Sequence, residues 1–372
     1  MVQLVCVHGV ATRPGDDLTR AVENRDALFA RIVFPGIEHR VWSPVWGDLV
    51  PRVDPGVFDT DRSAQSLSLG TGGDDPGAGL GSGEGNQSGP DLAAIAAQAP
   101  SVAVDAVMAE LVDRADAEGR ALDEGELSAF ERAATAIASG DAGKLLENAA
   151  SDDEIAFNLA VDSGSYGIGN TIGAAVAAVT GRARNAVSTV AFGAVRDSLS
   201  PAIAFFLGDV FAYLKDGGLR ARIRARVLAD IAAAHAARKS GEPLVLVGHS
   251  LGGVILVDML CDPGGAGLPQ DLAVDALFTV GSQAGLFQSV GVLESGVNPP
   301  AKVARPEKVA RWFNVFDPID PLAFRADASF TGVEDIMFDS ITGLASAHTT
   351  YFKRPQFYAR FGKRLRQAVV IA

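Results

Sequence analysis

The sequence predicts an α/β protein, a parallel sheet flanked by helices, and three features of its pattern carry that reading. A short apolar run, Val2 to Val7, is followed by helix-spaced apolar residues from Leu18 to Ile32 and by a second strand-like stretch, His39 to Val45, after Pro35-Gly36. This strand-helix-strand opening is the kind that builds parallel pairing. A second apolar run, Leu244 to Val247, leads through a glycine-rich corner into a helical segment, Leu251 to Cys261. Two more strand-like runs follow, Ala276 to Val280 and Val309 to Phe316.

Composition narrows the function. The chain has 372 residues and is 48% hydrophobic, long enough for two domains or for one domain with a large insertion. A formal net charge of -13 disfavours nucleic acid as a partner and, more weakly, a purely electrostatic attraction to anionic lipid. Met1 to Val7 has no basic leader followed by a long apolar run, so it reads as a strand and not as a signal peptide, and a cytoplasmic protein is expected. Cys6 and Cys261 fall in core elements and read as small apolar fillers. The five histidines show no metal-ligand spacing, so neither a metal nor a cofactor is implied.

From about Pro51 the pattern changes. Gly70 to Gly89 holds nine glycines in twenty positions, too little apolar surface to offset ordering, and reads as a flexible loop. Val104, Val107, Met108, Leu111 and Val112 then share one helical face after Pro100-Ser101, and Leu127, Phe130, Ala134 and Ile137 share another. The acids of Asp105 to Glu154 read as the solvated faces of these helices. Ile168, Ile172, Ala175, Val176 and Val179 keep helical spacing within the apolar stretch to Phe192, which Arg182 and Arg184 break before a membrane span accumulates. That segment reads as an apolar helix at the mouth of a site. Pro201 to Leu214 and Leu219 to Ala237 read as helices, the second with Arg220, Arg222, Arg224 and Arg226 on a solvated face.

The corner itself is Gly248-His249-Ser250-Leu251-Gly252, followed by Gly253. A serine held at strained backbone angles between strand and helix presents its hydroxyl at the carboxyl edge of a sheet, and side chains two residues to either side would strike the crossing backbone. With its preceding strand and following helix, the stretch resembles the α/β-hydrolase superfamily, and its Gly-His-Ser-Leu-Gly-Gly form is similar to that of lipases and esterases. The resemblance implies that Ser250 is a nucleophile. It also implies an oxyanion loop after the first strand, at His8-Gly9, whose donors would be the amides of Val10 and Leu251. The His8 side chain reads as packing.

The family's chain order of nucleophile, acid and histidine makes His348 the candidate base, because His8, His39, His235 and His249 all precede or adjoin Ser250. For the acid, Val309 to Phe316 ends in Asp317-Pro318-Ile319-Asp320-Pro321, which resembles the Asp-Pro-Val/Ile stretch of class 3 lipases. The matching residue is Asp317, and Asp320 is the alternative. Ser282, after the strand Ala276 to Val280, reads as a turn residue.

Set against the family, the stretch between His8-Gly9 and Ser250 is long, which implies a mainly helical cap inserted over about residues 51–200, with 1–50 and 201–372 forming the core. The expected function is that of a serine esterase or lipase acting on a hydrophobic ester such as a lipid, with peripheral membrane contact left open. Thioesterase, peptidase and acyltransferase chemistry use the same residues, and a non-catalytic binding member of the fold is the reading from a different class.

Overall fold

The computed structural model describes residues 1–10, 12–51, 92–147, 149–161, 167–186, 208–215, 217–338 and 347–369. The glycine-rich stretch Gly70 to Gly89, the end of the apolar stretch at Phe192 and the start of the segment from Pro201 lie outside the described residues.

Six strands form one parallel sheet. They are β1 (Val2–Val7), β2 (His39–Trp42), β3 (Leu244–His249), β4 (Val274–Val280), β6 (Val309–Phe316) and β8 (Val333–Met337), in the order β2-β1-β3-β4-β6-β8. The two-residue strands β5 (Val303–Ala304) and β7 (Phe330–Thr331) pair separately. All pairings in the main sheet are parallel, with Val5 opposite Trp42 on one side and Leu246 on the other. The order sets β1 directly beside β3, and the carboxyl ends of these two neighbours carry His8-Gly9 and Ser250.

Alternation along the strands divides the core into two layers. Leu4 and Cys6 face one cluster, shared with α3 (Pro100–Ala117), α4 (Glu124–Ser139), α6 (Asp152–Ala160), α7 (Ile168–Ala186) and α11 (Pro355–Ala368). Val5 and Val7 face the other, shared with α8 (Gly217–Ala237) and α9 (Leu251–Cys261). Near β1 the first layer closes around Phe29, whose ring meets Tyr358 at 5.1 Å and Phe361 at 5.3 Å, both edge to face. Phe29 belongs to a single π turn, Phe29–Val33, that ends α1 (Asp16–Leu28), so the helix expected from Leu18 to Ile32 is present with an altered last turn.

The helices between β2 and β3 in the chain are part of this core. Val104, Val107, Met108 and Leu111 of α3 are fully buried in the same cluster as Leu4, and an ion pair ties them to the chain's last helix. Asp105 accepts from Arg354 Nη1 at 2.9 Å and from the Gln356 amide at 2.9 Å, with both charged side chains at 1% exposure or less. Burial pushes the Asp105 carboxyl up, against the opposing pull of Arg354. Glu126 is also buried, held by a bidentate Arg120 and closing a capping box with Asp123. The acids of this segment thus include interior residues, which periodicity alone cannot separate from solvated ones.

Two further expectations are corrected. The residues Ile168, Ile172, Ala175, Val176 and Val179 bury against α3 and α6 and form core, not the mouth of a site. Among the described residues no helix is long and apolar enough to cross a membrane. In α8 only alternate arginines are solvated. Arg222 and Arg226 are exposed, whereas Arg220 and Arg224 turn inward and each bond Asp258 of α9 at 2.6 Å. Spacing of four residues places the inward pair on the face of Ile223 and Val227, which packs on the sheet. Strand β8 has no sequence counterpart, since Val333-Glu334-Asp335-Ile336-Met337 is short and carries two adjacent acids.

The Asp105–Arg354 pair yields the first prediction. Arg354→Met leaves Asp105 buried without its counter-charge and should destabilise the fold by about 3–5 kcal/mol. Urea denaturation measures it, and a loss below about 1 kcal/mol would show that this helical layer does not depend on the pair.

Candidate active site

The local chain around Ser250 is forced into shape by close backbone contacts. Ser250 has φ 52° and ψ -126°, the one non-glycine at positive φ among the described residues. Such a conformation costs about 1–3 kcal/mol and persists only where surroundings hold it. They do so here. The Ser250 amide donates to the Val280 carbonyl at the end of β4 at 2.9 Å. A Cβ at Gly252 would lie 2.3 Å from the Val7 carbonyl oxygen, one at Gly248 would lie 2.5 Å from the Gly253 Cα, and one at Gly9 would lie 2.7 Å from the Ser250 Cβ. Each of these three positions admits no side chain. The expected reason for the glycines on either side of Ser250 is the one the structure gives.

His348 meets Ser250 from the far end of the sequence. Its Nε2 lies 2.8 Å from Ser250 Oγ and its Nδ1 lies 2.8 Å from Asp320 Oδ2, all three side chains being buried. A carboxylate only accepts, so Nδ1 carries the proton and Nε2 is left to accept from the serine hydroxyl. Such a line can take a proton from Ser250 as its oxygen attacks an electrophile, with the carboxylate fixing the ring's tautomer and orientation.

The carboxylate on His348 is therefore that of Asp320, not of Asp317. Asp317 Oδ1 accepts from the Ile319 amide at 3.0 Å, and its carbonyl accepts from the Asp320 amide at 3.0 Å. Asp317 thus holds the turn, and the turn delivers Asp320 one step further on. Asp320 Oδ1 in turn accepts from the Leu322 amide at 2.9 Å. Position just past a strand was the sequence argument for Asp317, and it does not register how a three-residue turn redirects the side chains.

Two residues at the site were not expected from sequence. His249 donates from Nε2 to the carbonyl of His348 at 2.9 Å, with the two rings 5.1 Å apart. Burial, reinforced by the neighbouring His348, lowers its pKa to about 3, so it is a neutral donor. Tyr351 places its hydroxyl 2.9 Å from Asp320 Oδ2 and 3.0 Å from the Asp317 amide. Nothing in a periodicity argument marks either contact.

His8 packs, as expected. Its Nδ1–H donates to the Gly9 carbonyl at 2.8 Å, its Nε2 accepts from the Trp46 amide at 3.2 Å, and its ring stacks on Trp46 at 4.9 Å. Burial lowers its pKa to about 4. Val10 follows on the wall of the cavity that Ser250 and His348 also line, and Leu251 opens α9, where helix amides point out of the helix end. Ser282 is buried against Gly253, 2.6 Å from where a Cβ there would stand, and its Oγ accepts from the Ala284 amide, a turn role.

The cavity measures about 1020 Å³. It runs from Ser250 under α1, past Val10, Leu18, Ala21 and Val22, and reaches Val112 of α3. Arg13, at its wall, is neutralised by a two-pronged bond to Asp209 at 2.8 and 3.1 Å. Among the described residues no group of three or more His, Cys, Asp or Glu side chains is placed to hold a metal. Burial pushes the Cys6 and Cys261 thiols up to about 12, which keeps both protonated.

The two neutral histidines make stability depend on pH with a defined sign. Below about pH 6.5 the unfolded chain protonates residues that the fold keeps neutral down to about 4 at His8 and about 3 at His249. Their contribution is complete above pH 6.5 and is lost as pH falls, at up to about 1.4 kcal/mol per pH unit for each. Urea midpoints at pH 7, 6 and 5 should fall steadily. His249→Gln, which keeps an N–H donor, should show a shallower fall, and parallel slopes would contradict the neutral assignment.

Comparison with known proteins returns no match, whether to a family model, a curated protein or a solved structure.

Proposed function

We propose that this chain is a serine hydrolase of α/β-hydrolase type that cleaves carboxylic esters with a hydrophobic acyl or alcohol group. The observation that carries the reading is the line from Ser250 Oγ to His348 Nε2 and from His348 Nδ1 to Asp320 Oδ2, 2.8 Å at each step, on a serine held at φ 52°. Its geometry matches the roles of nucleophile, base and orienting acid within hydrogen-bond reach. The apolar walls of the cavity, Leu18, Val22 and Val112 among them, support a hydrophobic substrate.

On this reading Ser250 Oγ attacks the ester carbonyl carbon while His348 Nε2 takes the hydroxyl proton. The Val10 and Leu251 amides hold the oxygen that becomes negative, and Asp320 stabilises the imidazolium. Collapse of the tetrahedral intermediate breaks the bond to the alcohol, which leaves with the proton from His348. Water then attacks the acyl-serine, giving its proton to His348. The carboxylic acid departs as Ser250 recovers its hydrogen.

A fluorophosphonate probe should label the wild-type chain at Ser250 and leave Ser250→Ala unlabelled although folded. Asp320→Asn should lower kcat by about 10⁴, as the equivalent change does in a serine protease, because it supplies the wrong tautomer to the histidine. Asp317→Asn should cost mainly stability. A series of p-nitrophenyl esters of rising chain length should show kcat/KM climbing with length. Absence of labelling at Ser250 would remove the hydrolase reading altogether.

A further inference from the structure

Tyr351 stands out among the buried polar groups that the chemistry above leaves without a task. It is 1% exposed, in the short 3₁₀ turn Tyr351–Lys353 just after His348. Its ring lies 5.5 Å from Phe338 and 6.0 Å from His249, and against Gly281, where a Cβ would come within 2.8 Å of Cε2. Gly281 has φ 56°, so a bare backbone at the end of β4 makes room for the ring.

The direction of the hydroxyl proton follows from its two partners. A backbone amide can only donate, so the phenol oxygen accepts from Asp317 N at 3.0 Å. A carboxylate can only accept, so the phenol's one hydrogen goes to Asp320 Oδ2 at 2.9 Å. That oxygen is the one His348 Nδ1 contacts at 2.8 Å. Burial, and then the adjoining Asp320, push the Tyr351 phenol well above its ordinary range, so the proton stays on it as a donor.

We propose that Tyr351 is a positioning residue that fixes the Asp320 carboxylate on His348, using the Asp317 turn as its anchor. The proposal rests on the hydrolytic reading of Ser250, His348 and Asp320. Three contacts then define the carboxylate: Leu322 N on Oδ1, and Tyr351 and His348 on Oδ2. Without the phenol, Oδ2 keeps only the histidine, and one contact on each oxygen is left to set the carboxyl group's rotation. Besides Asp320, the polar groups facing His348 are Ser250 Oγ and the neutral His249; Asp317 lies beyond the phenol.

The proton on His348 Nδ1 reports this directly. In the wild-type chain it should give a narrow, far-downfield ¹H NMR line that is lost in His348→Ala. In Tyr351→Phe the line should broaden severalfold, because an unpinned carboxylate lets the proton exchange with water. A purely structural ring would leave the line unmoved, since phenylalanine keeps the packing. Turnover should fall about tenfold in kcat with KM unchanged, since a hydrogen bond to a charged group is lost away from the substrate. Replacement of Tyr351 by 3-fluorotyrosine keeps the fold and sharpens the donor, so exchange should be slower than in the wild type. An unchanged line width in both variants overturns the proposal. The NMR reading needs no turnover, so it is separable from failure of Ser250 to react with a fluorophosphonate.

Discussion

Close packing of backbone against backbone at the carboxyl ends of β1 and β3 is the constraint on which the site depends. Gly252 sits against the carbonyls of Val7 and His8, Gly9 against Ser250, and Gly248 against Gly253, each at distances that leave no room for a methyl group. These contacts bring the end of the first strand within touching distance of a residue some 240 positions later, at an elbow. They also supply the over-determination that a strained serine needs. The bond from Ser250 N to Val280 O adds the third strand to the same knot. Loosening any one contact would relax Ser250 toward ordinary angles and carry its hydroxyl off the line to His348.

The helix behind the serine is fixed from its other side by buried charge. Asp258 of α9 receives Arg220 and Arg224 at 2.6 Å, Tyr213 at 2.6 Å and the Glu294 amide at 3.1 Å. Burial opposes charge on Asp258, yet the bonds from Arg220 and Tyr213 outweigh it and hold its carboxyl below the usual range. An unpaired buried carboxylate would be costly, so the arginines of α8 and the acid of α9 are mutually required. Sequence spacing alone made those arginines look solvated.

What could be read from the sequence was whatever depends on local backbone demands or on order along the chain. The glycine positions around Ser250 encode their own contacts, and His348 is the one histidine that fits the chain order the resemblance implies. The strands β1, β3, β4 and β6 were visible as apolar runs between breakers. What could not be read depends on geometry across a turn or between distant helices. Asp317 and Asp320 are chemically identical and three residues apart, and only the hydrogen bonds of the turn decide which of them reaches His348. Asp105 and Glu126 looked like surface acids because their partners, Arg354 and Arg120, come from other elements. The cap expected from chain length shares its core with the sheet through α3, while the same helix reaches the cavity at Val112.

The placement of protons at the site follows from burial as much as from bonding. His249 and His348 are neighbouring rings, and on the proposed chemistry His348 becomes positive in each half of the cycle. A charged His249 beside it would oppose that step across a short gap where solvent screening is weak. Burial holds His249 neutral down to about pH 3 while its N–H still bonds the His348 carbonyl, so it orients its neighbour without adding charge. Tyr351 works on the opposite pole, adding a donor to Asp320 without adding charge either. The line is thereby held at His348 and at Asp320 by neutral groups. On the proposed chemistry the positive charge that forms on His348 then meets one partner, since Asp320 is the single carboxylate in hydrogen-bond contact with that ring among the described residues.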